Sequence, residues 1–346
     1  MNKPQKEAII SRPKESGKLN PQLLAEALVN GIFAKDIAAL SKAITMVEST
    51  KPEHQGIAKI IIEKCLSKKN DTVRIGITGV PGVGKSTFIE RLGKLLTSKG
   101  NRLAVLTIDP SSNLTKGSIL ADKTRMQELV QDKNAFIRPS PSGDSLGGVA
   151  RKTRESIILL EAAGYNIIII ETVGVGQSET AVHSMVDFFL LLKLAGAGDE
   201  LQGIKRGIME MADAIAINKA DGDNIKRAKL AEVEFKRALH LFPPKENGWV
   251  PVVTSCSALQ NQGLEEIWSI IASYAEKTKE SGHFRTKRQE QNKSWLKQHI
   301  ETSLKMDFYT SPLVKKKLET LEEKVVNGSM SPFAAAQQLL QTYKNS

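Results

Sequence analysis

The stretch from Gly79 to Thr87 restricts the fold of this chain more than any other part of the sequence. It follows an apolar, β-branched run at Val73–Thr78, precedes a helical pattern at Phe88–Ser98, and reads Gly79-Val80-Pro81-Gly82-Val83-Gly84-Lys85-Ser86-Thr87. The spacing fits the phosphate-loop pattern, in which glycines let backbone N–H groups surround phosphate oxygens and the helix N-terminus attracts negative charge. In that pattern Lys85 reaches the β- and γ-phosphates, and the Ser86 hydroxyl binds Mg²⁺. A plain strand-to-helix turn needs no Lys-Ser pair, so we predict that the whole stretch binds a nucleotide.

Short apolar runs alternate with helical segments between Thr72 and Lys277. The runs are Val73–Thr78, Leu103–Ile108, Ile167–Glu171, Ala214–Asn218 and Val250–Thr254, and Phe188–Leu192 is a further candidate for a buried strand. Such alternation is typical of a parallel sheet with crossover helices on both faces. We therefore predict an α/β fold of the P-loop NTPase class, with a mostly parallel central sheet flanked by N-terminal and C-terminal helical extensions.

Helical spacing dominates the chain on both sides of this region. Before it, apolar residues recur over Gln22–Val47, with an interruption at Asn30-Gly31 and a helix cap near Asp36, and a third helix is predicted over His54–Lys68. In the helical tail the candidate buried positions are Trp295, Ile300, Leu304, Leu313, Leu318, Leu321 and Val325. We predict a flexible arm at residues 1–20, an N-terminal helical layer at 21–71, a P-loop core at 72–278 and a C-terminal helical extension at 279–346. The extension has too few apolar positions for a core of its own, so we expect it to pack on the sheet domain or on another subunit.

The composition limits the classes of partner and compartment. The formal charge of +11 permits nucleic acid, an acidic membrane surface or an acidic protein, but aromatic residues make up only 5%, so the stacking pattern of a single-strand binder is missing. Cys65 and Cys256 stand far apart without a disulfide or zinc spacing. The first residues lack a signal-peptide core, and no apolar run approaches a membrane span. We expect a cytoplasmic protein that does not insert into a membrane, and we favour a solvated lysine-rich surface over one that binds nucleic acid.

A second motif predicts which base the nucleotide carries. Asn218-Lys219-Ala220-Asp221 follows an apolar strand and matches the Asn-Lys-x-Asp element, whose carboxylate accepts hydrogen bonds from the guanine N1–H and 2-amino groups. Adenine lacks that pair of donors. Ser257-Ala258-Leu259 resembles the loop whose backbone supports the guanine O6. We therefore predict that Asn218, Lys219, Asp221 and the Ser257–Leu259 loop bind GTP or GDP.

Acidic residues after two other strands are candidates for metal binding and catalysis. Glu171 follows four consecutive isoleucines and faces the predicted phosphate site, with Gly174 shortly after it. It can hold Mg²⁺ through water or position the attacking water. Val175 stands where Ras-like proteins carry glutamine, so we predict slow intrinsic hydrolysis that a partner accelerates. Lys85, Asp109 and Glu171 are the candidate catalytic residues.

A long polar stretch between the second and third predicted strands contains two further acids. Asp109 lies at a strand's C-terminal end, where α/β sheets place ligand-binding residues, although Asp-Pro also starts turns. Asp122 fits a helix cap about as well as a site residue. The stretch is too long for a plain connector, and a segment that becomes ordered when it contacts the γ-phosphate and Mg²⁺ would explain its length and polarity. Residues 195–206 are left open between a mobile loop and a solvated connector.

Together these residues resemble the methylmalonyl-CoA mutase-associated GTPases of the MeaB/ArgK type, within the larger group of metallochaperone GTPases. The resemblance covers roughly Thr72–Lys277. The matching stretches are Gly79–Thr87, Asp109–Ser112, Gly117–Leu120, Asp122–Met126, Ile137–Ser140, Leu146–Arg154, Leu160–Tyr165, Glu171–Glu179, Gly198–Glu210 and Asn218–Asp221. The chain departs from the family at Ala121, where glycine is usual, and at Gly143-Asp144.

The resemblance implies a specific activity and partner. It implies a GTPase that docks on an adenosylcobalamin-dependent acyl-CoA mutase, gates cofactor loading, and protects or reactivates that enzyme. It implies a homodimer with contacts from the C-terminal helices. It also implies that Mg²⁺ is bound by Ser86, Asp109, Asp122 and Glu171, the residues that match the metal ligands of the family.

Three alternatives stay open on the sequence. A kinase of a small molecule or transport protein could use the same phosphate loop, and would pass phosphate to an acceptor other than water. A nucleic-acid-binding module with a nucleotide switch would show salt-sensitive binding. Delivery of nickel is also conceivable, although the chain has no His/Cys-rich tract to hold the metal.

Overall fold

An all-parallel sheet forms the centre of the protein in the computed structural model, which describes residues 20–68, 70–108, 126–140, 146–172, 178–196 and 206–345. Its seven strands within these ranges are β1 Val73–Gly79, β2 Leu103–Ile108, β3 Ala135–Ser140, β4 Ile167–Thr172, β5 Phe188–Leu194, β6 Ala214–Asn218 and β7 Val252–Ser255. They lie in the order β3-β2-β4-β1-β5-β6-β7, and every neighbouring pair is parallel. The predicted α/β class with a parallel central sheet is confirmed.

Helices cover both faces of the sheet. Those described are α1 Pro21–Phe33, α2 Ile37–Glu48, α3 Pro52–Leu66, α4 Lys85–Ser98, α5 Gln127–Val130, α6 Leu146–Ala162, α7 Ser178–His183, α8 Arg206–Met211, α9 Ile225–Leu239, α10 Leu264–Glu280, α11 His283–Thr310, α12 Pro312–Val326 and α13 Pro332–Lys344. On one face α4 and α10 share an apolar core with β1, and on the other α6 does so with β2 and β4. None of these helices is long and apolar enough to cross a membrane.

The first three helices form a layer against α6, and their side chains extend the apolar core of that face of the sheet. The Asp36 carboxylate accepts a hydrogen bond of 2.8 Å from the Ala38 N–H, so the predicted cap of α2 is confirmed. The predicted interruption at Asn30-Gly31 is wrong. Helix α1 continues to Phe33 because its hydrogen bonding runs on, with the Ala34 N–H donating to the Asn30 carbonyl at 2.9 Å.

Strand β3 is absent from the runs picked out in the sequence. It contains Arg138 and Pro139, which weaken the apolar pattern that marked the other strands. Pro139 is tolerated because β3 is the last strand at its end of the sheet, where one side of the backbone needs no strand partner. The Arg138 guanidinium bonds to the Glu48 carboxylate of α2 at 2.5 Å. The strand is thus stabilised by a contact distant in sequence, which no local pattern reveals.

Three residues of the C-terminal tail that were predicted to be buried are exposed in the structure. Ile300, Leu304 and Leu313 are 49%, 58% and 52% exposed, so their prediction as buried is wrong for the single chain. Helical spacing marked an apolar face, but nothing in the described chain covers it. Trp295 packs partly against the core of the N-terminal helices, and Leu321 is buried in a small cluster between α12 and α13.

Candidate functional site

The phosphate-loop stretch connects the centre of the sheet to α4. Strand β1 ends at Gly79 and α4 begins at Lys85, so the loop opens at the carboxyl edge of the sheet, where ligands bind in folds of this class. The buried Lys85 Nζ donates hydrogen bonds to the carbonyls of Gly79 at 2.7 Å and Val80 at 3.3 Å. No described side chain caps the N-terminus of α4. This arrangement suits an anion, because the first N–H groups of a helix need an acceptor.

Ser86 and Glu171 come together beside this loop. Strand β4 is the neighbour of β1, with Ile77 opposite Glu171 in the ladder, so Glu171 lies level with the start of the phosphate loop. The Ser86 hydroxyl donates to the Glu171 Oε1 at 3.4 Å, and the Glu171 side chain is buried. A hydroxyl and a carboxylate are the hard oxygen ligands that Mg²⁺ prefers. The two described residues therefore fit the predicted metal.

The other two predicted metal ligands, Asp109 and Asp122, lie outside the described residues, as do Gly174 and Val175. No group of three or more His, Cys, Asp or Glu residues suited to a metal occurs in the described chain. The roles assigned to these side chains in metal binding and catalysis thus stay predictions.

Asn218 joins the second motif to the phosphate loop. Its buried Nδ2 donates to the Val83 carbonyl at 2.8 Å, and its Oδ1 accepts from the Ala258 N–H at 3.2 Å. Gly84 permits this approach: its φ is 93°, and a Cβ there would lie 2.8 Å from the Asn218 Nδ2. One amide therefore fixes the phosphate loop, the end of β6 and the loop after β7 to one another.

The predicted base-recognition residues form a second cluster around Asp221. The Ser257 hydroxyl donates to the Asp221 Oδ2, and the Ser257 Oγ accepts from the Gln260 N–H at 3.2 Å. Backbone groups of Ser257 and Gln262 exchange two hydrogen bonds of 3.0 Å, which closes this loop tightly. Leu259 is exposed at its tip. The Asp221 carboxylate is thus held by a hydroxyl next to a loop of fixed shape.

Lys219, between these two residues, has a left-handed backbone with φ 61°. Such a conformation is unfavourable for lysine and concentrates at functional sites. The Asn224 Nδ2 donates to the Lys219 carbonyl at 2.7 Å, which helps to hold the turn.

Cys256 is a site residue that sequence reasoning missed. Its thiol donates to the Asn218 Oδ1 at 3.6 Å, and burial raises the pKa of the thiol to about 12, so it stays neutral. A lone cysteine in an apolar run carries no motif. Its place directly before Ser257-Ala258 was the one available signal.

The comparisons with known proteins agree with this geometry. The family model described as methylmalonyl Co-A mutase-associated GTPase MeaB matches residues 40–312. A probable GTPase of Mycobacterium tuberculosis is 47% identical over 91% of this chain and 94% of its own length. The methylmalonic aciduria type A homolog of Mus musculus, named as mitochondrial, is 44% identical over 94% of this chain and 80% of its own length.

Two further matches cover nearly the whole of both proteins. The GTPase ArgK of Escherichia coli is 42% identical over 93% of this chain and 97% of its own length. A solved structure described as a LAO/AO transport system kinase superposes with a TM-score of 0.74 at 36% identity, over 94% of this chain and 99% of that one. The chain therefore belongs to the methylmalonyl-CoA mutase-associated GTPase family MeaB and is a P-loop GTPase.

Proposed function

We propose that this GTPase works with Mg²⁺ as a chaperone of an adenosylcobalamin-dependent acyl-CoA mutase of the methylmalonyl-CoA mutase type. In this proposal it gates loading of the mutase's cofactor and protects or reactivates the enzyme. The family description and the name of the mouse relative support the choice of partner. The observation that carries the nucleotide part is the Asn218 amide, because it makes the shape of the base site depend on the phosphate loop.

The described side chains divide the work between phosphates and base. Lys85 stabilises negative charge on the β- and γ-phosphates, and Asp221 selects guanine by accepting its two donors. Glu171 orients water for attack on the γ-phosphate. Ser86 and Glu171, with Asp109 and Asp122, would hold Mg²⁺, which when bound supplies charge neutralisation at the β- and γ-phosphate oxygens.

Hydrolysis by the chain alone is slow in this proposal. Val175 stands in place of the glutamine that orients water in Ras-like proteins. Docking of the mutase accelerates turnover, so that GTP hydrolysis reports productive contact between the two proteins.

The C-terminal extension supports a homodimer. Leu296, Ile300 and Leu304 follow one another at four-residue spacing on α11 and are 61%, 49% and 58% exposed. Residues at this spacing share one face of a helix, and exposed apolar faces of this kind mark protein interfaces. We infer that a second copy of the chain covers this face.

The proposal is tested by measuring GTP and ATP hydrolysis with Mg²⁺, with and without an acyl-CoA mutase from the same source. The variant is Asp221→Asn, and the matched control is Asp223→Asn, an exposed acid outside the motif. We expect GTP-selective turnover that rises with the mutase, weakens in Asp221→Asn and is unchanged in the control.

The kinase alternative predicts a different pattern. It has one specific observation in its favour, the description of the solved relative as a transport system kinase. ATP turnover that is indifferent to Asp221 and to the mutase, with phosphate passed to an acceptor other than water, would establish the kinase and overturn the chaperone.

A further inference from the structure

Two buried hydroxyl groups join β1 to β4 at the edge of the sheet that carries the site. The Thr172 Oγ1 donates a hydrogen bond of 2.8 Å to the Thr78 Oγ1, and the two residues are 0% and 1% exposed. Thr78 is the residue before Gly79, where the phosphate-loop stretch begins, and Thr172 is the residue after Glu171. The pair therefore links the two chain segments that carry the phosphate and metal groups.

The register places this pair on the opposite face of the sheet from Glu171. Ile77 and Glu171 are opposite each other, so the next residues, Thr78 and Thr172, form the following rung of the ladder. Side chains alternate between the faces of a strand. Ile77 belongs to the apolar core shared with α4, whereas Ile170 of β4 belongs to the core on the other face. The hydroxyl pair thus fixes the strand ends from the face away from α4.

Packing alone does not explain why hydroxyls occupy this rung. The two rungs below it on this face of β4 hold Ile168 and Ile170, both fully buried. Valine has the shape of threonine and carries no hydroxyl that needs a partner, whereas a buried hydroxyl without its partner is destabilising. A hydrogen bond between the two hydroxyls instead occurs where β1 and β4 end. Close to it, the Glu171 Oε1 lies 3.4 Å from the Ser86 Oγ.

We propose that Thr78 and Thr172 are positioning residues for GTP hydrolysis. Their hydrogen bond fixes the end of β4 relative to the start of the phosphate loop, and so fixes Glu171 relative to Ser86. This inference rests on the proposed role of those two residues in holding Mg²⁺. A displacement of about 1 Å in a catalytic group can lower a rate about a hundredfold, so a small separation of the strand ends has a large effect.

The first test compares Thr172→Val with Thr172→Ser and with Thr278→Val in the full chain. Thr278 is the matched control, since its buried hydroxyl donates to the Tyr274 carbonyl at 2.7 Å inside α10, a helix that contributes no predicted site residue. We expect Thr172→Val to lower kcat for GTP hydrolysis at least about tenfold, with KM for GTP changed less than about threefold. Thr172→Ser, which keeps the hydroxyl, should retain most of the rate, and the Thr278 variant should match the wild type.

A second readout does not depend on turnover. Binding of a fluorescent GDP analogue is measured against Mg²⁺ concentration and again in EDTA, alongside the unfolding temperature of each variant. We expect Thr172→Val to need more Mg²⁺ for half-maximal tightening of GDP binding, while its affinity in EDTA stays at the wild-type value. A loss of affinity in EDTA equal to the loss with Mg²⁺ would overturn the inference, because it would place the effect on the phosphate loop as a whole.

The reciprocal variant Thr78→Val tests the same bond if Thr172→Val does not fold. In the double variant we expect no further fall in kcat beyond the lower single variant, since either substitution already removes the bond. The proposed role of the pair would be overturned if the two substitutions lowered kcat independently, so that their effects multiplied in the double variant. A wild-type kcat in both single variants would overturn it as well. Wild-type turnover that needs no Mg²⁺ contradicts the proposed function as well, whereas Mg²⁺-dependent turnover unaffected by Thr172→Val contradicts this inference alone.

Discussion

Arg288 donates two hydrogen bonds to the carboxylate of Asp187, from Nε to Oδ1 at 2.8 Å and from Nη2 to Oδ2 at 2.6 Å. The same Asp187 Oδ2 accepts from the Arg74 N–H of β1 at 2.8 Å. Arg288 lies near the start of α11, and Asp187 directly precedes β5. A single buried carboxylate therefore ties the C-terminal extension to the two central strands of the sheet.

Replacing Asp187 by asparagine should destabilise the whole chain. The substitution leaves the half-buried Arg288 cation without its main counter-charge, and breaking a buried ion pair in this way costs about 3–5 kcal/mol. The control is Asp71→Asn, which removes an exposed partner of Lys279 and should cost less than about 1 kcal/mol. Urea unfolding measures both, and equal stabilities for the two variants would contradict the assigned role of Asp187.

Asn218→Ala should weaken GTP and GDP binding together. The substitution removes the bonds to Val83 and Ala258 and leaves a buried carbonyl and N–H unpaired, which predicts about a 10- to 100-fold rise in Kd for both nucleotides. Asn224→Ala removes only the bond to the Lys219 carbonyl and serves as the control, with a smaller effect. Titration calorimetry distinguishes them, and an effect confined to GTP would contradict a role for Asn218 on the base side.

Glu155 gives the chain a pH-dependent stability. Burial raises the pKa of Glu155 to about 6 from its ordinary 4.5, although the charges of Arg151 and Lys152 act to lower it. The folded state thus binds this proton more tightly than the unfolded chain, so stability falls as the pH rises from 4.5 to about 6. The loss amounts to about 2 kcal/mol.

Glu155→Gln should remove that loss and flatten the stability profile between pH 4.5 and 6.5. Glu63→Gln, at an exposed ion pair with Lys59, should keep the wild-type slope. Chemical unfolding at several pH values compares the three proteins. A wild-type slope in Glu155→Gln would show that another group dominates this range.

Ile300→Asp should weaken self-association without unfolding the chain. The substitution places a charge in the middle of the exposed face formed with Leu296 and Leu304, so we expect the dimer dissociation constant to rise at least about tenfold. Lys305→Asp, which points to another side of the same helix, should leave it unchanged. Analytical ultracentrifugation measures both, and a wild-type chain that stays monomeric at all concentrations would contradict the dimer.

The two nucleotide motifs stand out most clearly in the sequence, because they combine a local chemical pattern with a local change of structure. Lys85 and Asp221 could be singled out from their spacing and from the strands before them. The exposure of Ile300 in the single chain could not be inferred, since helical spacing marks an apolar face without saying what meets it. Contacts such as Asp187 with Arg288 join residues that no local pattern relates.

The same distinction applies to β3 and Cys256. Arg138 and Pro139 hide the apolar pattern of β3 in the sequence. The strand is stabilised by pairing with β2 and by the ion pair between Arg138 and Glu48. Cys256 is recognised as a site residue only through its hydrogen bond to Asn218, at the end of β6. In each case the missing information was a partner brought close only by the folded chain.

The central position of β1 also governs when the site can form during folding. Val73 pairs with Ile167 on one side, and Ile75 pairs with Phe188 on the other, so both ladders join segments that lie far apart in the sequence. Parallel pairing between such distant segments gives a high contact order and slow folding. Glu171, which lies in the β4 ladder, can therefore reach Ser86 of the phosphate loop only after this long-range pairing has formed.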